Sequence, residues 1–185
     1  LFAELDRLEV SFEHLLAHEH MFDPTDLQGT HMTVVNRMSP SAYLRGHGNA
    51  IFYVAEYLSY LETIGTNVIN GKSAYEIEIS KAKQLTLLTN IGVNFPKART
   101  IDHSGQAPAA AEGLVYPVIV KPNIGGSGAY IQKFDDAESL RAAAADNTIS
   151  LGIDHTALVQ EFLPMRDGHI VRVEVLEGEV LYAIK

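Results

Sequence analysis

The segment Val118-Ile119-Val120-Lys121-Pro122-Asn123-Ile124-Gly125-Gly126-Ser127-Gly128-Ala129 constrains this chain more than any other. Its β-branched run predicts a strand from Val115 to Lys121. A lysine closes the strand and a glycine loop follows at once. Ala129-Tyr130-Ile131-Gln132-Lys133 then alternates like a strand coming straight back. Glycine has no Cβ, so the backbone can turn its amides toward an anion and let the anion approach closely. A strand-end ammonium would add a point charge for phosphate. An ordinary hairpin with a glycine turn and a surface lysine accounts for the same residues, and the segment alone leaves both readings open.

Composition narrows the partner. With 185 residues, 46% hydrophobic and 20% charged, the chain is expected to fold as one large domain or two small ones. A formal charge of -9 argues against nucleic acid as the main partner, because backbone binding rests on positive patches. A mononucleotide needs only a few well-placed cations and amides. The absence of cysteine removes disulfides, thiolate nucleophiles and cysteine zinc sites together. No apolar run approaches the roughly 20 residues that span a bilayer, and no basic-then-apolar secretory signal opens the chain. A cytoplasmic protein without a membrane partner is the expectation, with self-association left open. The chain starts at Leu1 and stops at Lys185 inside a strand-like pattern, so it reads as a fragment.

Periodicity organises the rest. Leu5, Leu8, Phe12, Leu15 and Leu16 predict a helix from Leu1 to about Glu19. Met32 to Val35 predicts a buried strand, and Ser39-Pro40-Ser41 breaks it. Ala50 to Ile64 predicts a helix with Ile51, Val54, Tyr57, Leu58 and Leu61 on one side and Gly65 past its end. Val68-Ile69 completes a β-loop-α-β unit. Ser80 is an N-cap for a helix carrying Leu85 and Leu88, stopped at Gly92. Pro96 to Ile101 is extended, and Ala107 to Gly113 is a small alanine-rich helix or loop. Asp136 caps a helix to about Ala145, with Asp135 and Glu138 completing an acidic N-terminal cluster. Thr156 to Glu161 is a strand, and Ile170 to Leu176 with Val180 to Ile184 is a hairpin turned at Glu177-Gly178-Glu179.

Two further segments carry chemistry. In Leu158-Val159-Gln160-Glu161-Phe162-Leu163-Pro164 a strand runs into an irregular stretch, where free backbone groups could meet an adenine edge. A strand end with a solvated glutamate is the plainer alternative. Lys81 sits in the first turn of a helix, where a cation opposes the helix dipole. Function is one reason to keep it there, and a surface lysine is the other reading. Gly71-Lys72-Ser73 is not a Walker A end, since the required upstream glycine is Thr66. Gly46-His47-Gly48 lacks the third glycine of a dinucleotide fingerprint, at Ile51. His14 and His18 could share a helix face, but no third ligand at a fixed spacing supports a metal there.

Taken in order, Lys81, the Lys121 strand with its glycine loop, and Gln160-Glu161-Phe162-Leu163 resemble the ATP-grasp superfamily. The nearest likeness is to the glutathione synthetase/RimK-like carboxylate–amine ligases. Val35-Asn36-Arg37, Leu61-Glu62-Thr63-Ile64-Gly65 and Val68-Ile69-Asn70 look like the preceding domain of those enzymes. The resemblance implies an α/β fold: a partial Rossmann-like pre-ATP-grasp layer over residues 1–78, then an ATP-grasp domain over 79–185. That domain would comprise the N-lobe and, after about Thr156, the start of the C-lobe.

The resemblance also implies ATP-dependent joining of a carboxylate to an amine through an acyl phosphate, with small-molecule or peptide substrates. Lys81 and Lys121 would contact phosphates, and Gly125, Gly126, Ser127 and Gly128 would form a lid over them. Glu161, Phe162 and Leu163 would hold adenine through the main chain. Arg172 would face the reacting phosphate or the substrate, and Asp167 or His169 would reach the ribose. Ser80 and Ile170 stand where relatives often have aspartate. The ligands for Mg2+ would lie downstream of Lys185, so this piece alone is expected to be inactive. A nucleotide-binding module without ligase chemistry, or a structural α/β domain, is the alternative.

Overall fold

The computed structural model describes residues 1–29 and 31–185, the side chain of Arg166 apart. Helix α1 spans Phe2–Arg7. It stops there because Glu9 takes a left-handed backbone, φ 54°, and the Val10 amide turns back onto the Leu5 carbonyl. The helix predicted to reach Glu19 is therefore cut short. His14 and His18 share no helix face: His14 packs on Phe2 at 4.6 Å and His18 stacks on His47 at 3.9 Å between ring centroids.

Strand β1, Thr33–Val35, pairs in parallel with β2, Asn67–Ile69, across helix α2, Gly48–Thr63. This is the predicted β-loop-α-β unit. The burial expected of β1 is not found, since Met32 is 92% exposed and only Val34 packs inward. One strand pair has no neighbour to cover its outer face. α2 supplies the core instead, with Ile51, Val54, Leu58 and Leu61 buried on one side at helical spacing. Helix α3, Lys72–Glu78, adds the fully buried Tyr75, whose hydroxyl donates to the Ile51 carbonyl at 2.8 Å. The sequence pattern gave no helix here. The Gly71-Lys72-Ser73 decoy proves to be its start.

Helix α4, Lys81–Asn90, begins at Ser80, whose hydroxyl accepts the Lys83 amide as predicted. A second layer follows: β3 (Ala98–Ile101), α5 (Ala107–Ala110), β4 (Val118–Pro122), β5 (Gln132–Phe134), α6 (Ala137–Ala145) and β6 (Ala157–Glu161). The strands form an antiparallel sheet in the order β3-β6-β4-β5. α5 and α6 cover one face, where Val118, Val120, Ala157 and Val159 meet Leu140. Asp136 caps α6 by accepting the Ser139 amide at 2.8 Å. β6 lies in the middle of this sheet, so the expected passage into another lobe at Thr156 comes too early: the chain leaves the sheet only after Glu161.

The hairpin β7 (Arg172–Leu176) and β8 (Glu179–Ile184) turns where predicted, at left-handed Glu177 and Gly178. Val173, Val175 and Leu181 stay more than half exposed. Among the described residues no helix is long and apolar enough to cross a membrane.

Candidate functional site at the glycine loop

β4 alternates in burial, so Val118 and Val120 face the helices while Ile119 and Lys121 point to the opposite face. The antiparallel register sets Leu158 beside Lys121 and Gln160 beside Ile119 on that same face. Lys121 is half-buried there, and burial pushes its ammonium below the ordinary lysine range. Among the described residues no hydrogen bond or ion pair satisfies it.

Lys81 arrives from the first turn of α4, steered by Asn123. The Asn123 carboxamide oxygen accepts from the Ser80 hydroxyl at 3.2 Å and from the Ala82 amide at 2.9 Å. Its amide nitrogen donates to Asp154 at 2.8 Å. This holds the start of α4 against the end of β4, and the Lys81 ammonium donates to the carbonyls of Asn123 (3.0 Å) and Gly125 (3.2 Å). Burial lowers the Lys81 pKa, the neighbouring Lys121 charge lowers it further, and Asp154 partly offsets both. Gly152 lets Asp154 come this near. Its φ is 79°, and a Cβ there would sit 2.7 Å from Pro122 Cβ.

The glycine loop closes over both lysines. Lys81, Lys121, Gly125, Gly126 and Gly128 surround a cleft of about 30 Å³, room for little more than one water. The predicted return strand starts late, because Ser127 (φ 55°), Gly128 (φ 70°) and Tyr130 (φ 59°) all turn left-handed before β5. Sequence reasoning missed Tyr43. A Cβ on Gly125 would lie 3.2 Å from its hydroxyl, and that buried hydroxyl has no hydrogen-bond partner among the described residues. Nothing local marks Tyr43 in sequence; only the packing of the turn 39–45 on the loop brings it in.

At the other end of the strand pair, Val118 pairs with Glu161. From there to Lys121 the strand rises about 10 Å. The Glu161 carboxylate accepts the Val115 amide at 3.0 Å, and its own amide donates to the Lys97 carbonyl. The Phe162 amide donates to Pro117. The first free donor is the Leu163 amide, which has no hydrogen-bond partner among the described residues. Between the two ends, the buried Gln160 Oε1 also lacks one. Asp167, left-handed at φ 56°, and the exposed Arg172 lie beyond β6, and no described hydrogen bond or ion pair joins either to the loop. The structure thus gathers Lys81, Lys121, Gly125, Gly126 and Gly128 around one cleft. Ser127 lies in the same loop, and Glu161, Phe162 and Leu163 stand at the far end of the same sheet.

A family model described as RimK-like ATP-grasp domain matches residues 79–185. A probable alpha-L-glutamate ligase from Teredinibacter turnerae is 28% identical over 137 residues, 72% of this chain and 44% of that protein. The chain thus spans under half the length of the glutamate ligases it matches. The crystal structure of D-cycloserine synthetase DcsG superposes with a TM-score of 0.68 over 98% of this chain and 60% of that one, at 18% identity, a likeness of fold. The ATP-grasp ligase PsnB, solved with precursor peptide PsnA2 and AMPPNP, gives 0.51 at 25% identity over 82% of this chain and 50% of its own.

Two outcomes follow for the unliganded chain. Asn123→Ala strips partners from Ser80, Ala82 and Asp154, and urea unfolding should show a loss of about 1–3 kcal/mol. Lys121→Met removes an unpaired, half-buried charge and should raise the unfolding midpoint at pH 7. A lysine with a depressed folded pKa destabilises below that pKa and is relieved as pH rises toward the unfolded value near 10.5. The gain of Lys121→Met over wild type should therefore shrink between those limits, as midpoints measured against pH will show.

Proposed function

Because this chain belongs to the RimK-like ATP-grasp family, we propose that it holds the ATP of a ligase that joins a carboxylate to an amine. One observation carries the reading. Two half-buried ammoniums without an ion pair sit under a glycine loop at one end of a sheet face, and a free amide stands at the other end. A triphosphate supplies the negative charge that Lys81 and Lys121 lack, and an adenine edge supplies an acceptor for the Leu163 amide. Tyr43 and the loop amides add donors, and Gln160 Oε1 offers an acceptor between them. The cleft is too small for phosphates as it stands, so the loop from Gly125 to Gly128 must lift and reclose, as a lid does.

A substrate carboxylate can attack the γ-phosphate of ATP, displacing ADP and giving an acyl phosphate, and an amine then attacks the acyl carbon and releases inorganic phosphate. The chain's part is to position the γ-phosphate and stabilise the charge that develops on it, with no side-chain nucleophile. In this proposal Arg172 and Asp167 join the site only when the segment beyond β6 folds over it. Peptide or small-molecule carboxylates and amines remain the substrate class, by analogy with the glutamate ligases and with PsnB. Among the described residues no cluster of three or more His, Asp or Glu could hold a metal, so no magnesium ligand is assigned.

Titrating ATP with magnesium into wild type and Lys121→Met tests the phosphate assignment. A loss of at least tenfold in affinity, about 1.4 kcal/mol, is expected. Lys83→Ala, which removes an exposed lysine paired with Glu76 at 2.7 Å, should leave affinity unchanged. Equal affinities in all three proteins would refute the assignment.

A further inference from the structure

A second cavity is far larger than the lysine cleft. Once α1 ends at Arg7, the chain from Leu8 to His20 passes over α2 without helix and leaves a space of about 620 Å³ beneath it. That volume falls in the range of small-molecule sites. Phe2 and Phe12, stacked at 5.3 Å, form one wall, and Tyr53 and Tyr57 of α2 form another. Both phenylalanines keep 41% of their surface accessible, so apolar area is left uncovered in a cavity of the right size to use it.

The remaining wall is the segment 37–45, and it has two sides. Ser39, Ala42 and Arg45 line the cavity. Ser41 and Tyr43 of the same turn touch the glycine loop: a Cβ on Gly126 would lie 3.2 Å from Ser41 Cβ, and one on Gly125 3.2 Å from the Tyr43 hydroxyl. One turn of chain therefore separates the cavity from the phosphate cleft.

Charge on this wall is one-sided. Arg37 and Arg45 both line the cavity, and among the described residues neither makes an ion pair. Among the described residues the Arg45 guanidinium has only a long contact, 3.5 Å, to the Ser41 hydroxyl. In a chain with 23 acidic residues against 14 basic ones, two unpaired guanidiniums in one cavity are not a matter of composition. The one acidic lining residue, Glu13, is already 3.0 Å from His31. His20, bonded to the Tyr53 hydroxyl at 2.8 Å, is held below the ordinary histidine pKa by burial.

We infer that this cavity seats the carboxylate substrate, and that the substrate has an apolar body of aromatic size and an anionic head directed at Arg37 and Arg45. Guanidinium pairs with carboxylate in a planar, bidentate way and repels an ammonium group, so the cavity suits the acid partner of the ligation over a protonated amine. The aromatic walls suit a ring or a branched aliphatic chain. This assignment rests on the ligase reading given above and deepens it.

Calorimetric titration of the chain with 3-phenylpropanoate, 3-phenylpropan-1-ol and propanoate tests it. The acid should bind at least tenfold more tightly than the alcohol, which lacks the charge, and than propanoate, which lacks the ring. Arg37→Gln with Arg45→Gln should abolish the advantage over the alcohol. Phe12→Ala should abolish the advantage over propanoate. All three positions are exposed, and an unchanged unfolding midpoint will show that the variants remain folded. Equal affinity for acid and alcohol, or an advantage that survives the arginine double variant, overturns the proposal. ATP titrated into the same wild-type sample separates the two readings. A chain that binds ATP but not the acid contradicts the cavity assignment, and one that binds the acid but not ATP contradicts the nucleotide reading.

Discussion

The carboxamide of Asn123 is the interaction on which the site depends. Asn123 is 7% exposed, and its side chain is satisfied by groups from separate parts of the chain: Ser80 and Ala82 at the start of α4, and Asp154 in the turn before β6. A buried amide with those partners is worth more as a set than its bonds taken singly, because losing any one leaves a desolvated group behind. The next residue, Ile124, is 4% exposed and inserts into the other core, beside Ile51, Leu58 and Tyr75. Two successive side chains thus tie the base of the glycine loop to both layers of the molecule.

That arrangement explains the position of the charges. Ammoniums in a half-buried cleft are unfavourable unless something answers them, and among the described residues Lys81 is answered only by carbonyls and Lys121 by nothing. Hydroxyl and amide groups nearby, Tyr43, Gln160 and the Leu163 amide, also lack partners among the described residues. Unspent polar groups of both kinds along one sheet face are the mark of a site that is completed by a ligand. The same turn that brings Tyr43 to the loop brings Arg45 to the aromatic cavity, so the two spaces are built on one piece of backbone.

Much of this was legible in the residues. Ser80 and Asp136 announced their helices because a side-chain cap is a local event, and the apolar face of α2 followed from spacing alone. The strand–lysine–glycine order placed Lys121 and its loop together because neighbours in sequence cannot be far apart. What failed was non-local. The apolar period of residues 1–19 names a face without naming its partner, and here Phe12 and Leu16 turn to a cavity against α2 while Glu9 breaks the helix. β6 reads as a strand wherever it pairs, and only the register reveals it at the centre of the sheet, between β3 and β4. Asn123 sits inside the most conspicuous motif of the chain yet carried no signal, because its role lies in partners 30 and more residues away.

The central claim is that one ligand spans the sheet face from Leu163 to the glycine loop. Hydrogen exchange at single amides, with and without ATP and magnesium, tests it directly. The Leu163 amide and the amides of Gly125, Gly126, Ser127 and Gly128 should slow together on addition of nucleotide, while those of the exposed β7–β8 hairpin should not. Protection of the loop without Leu163, or of neither, would contradict the account.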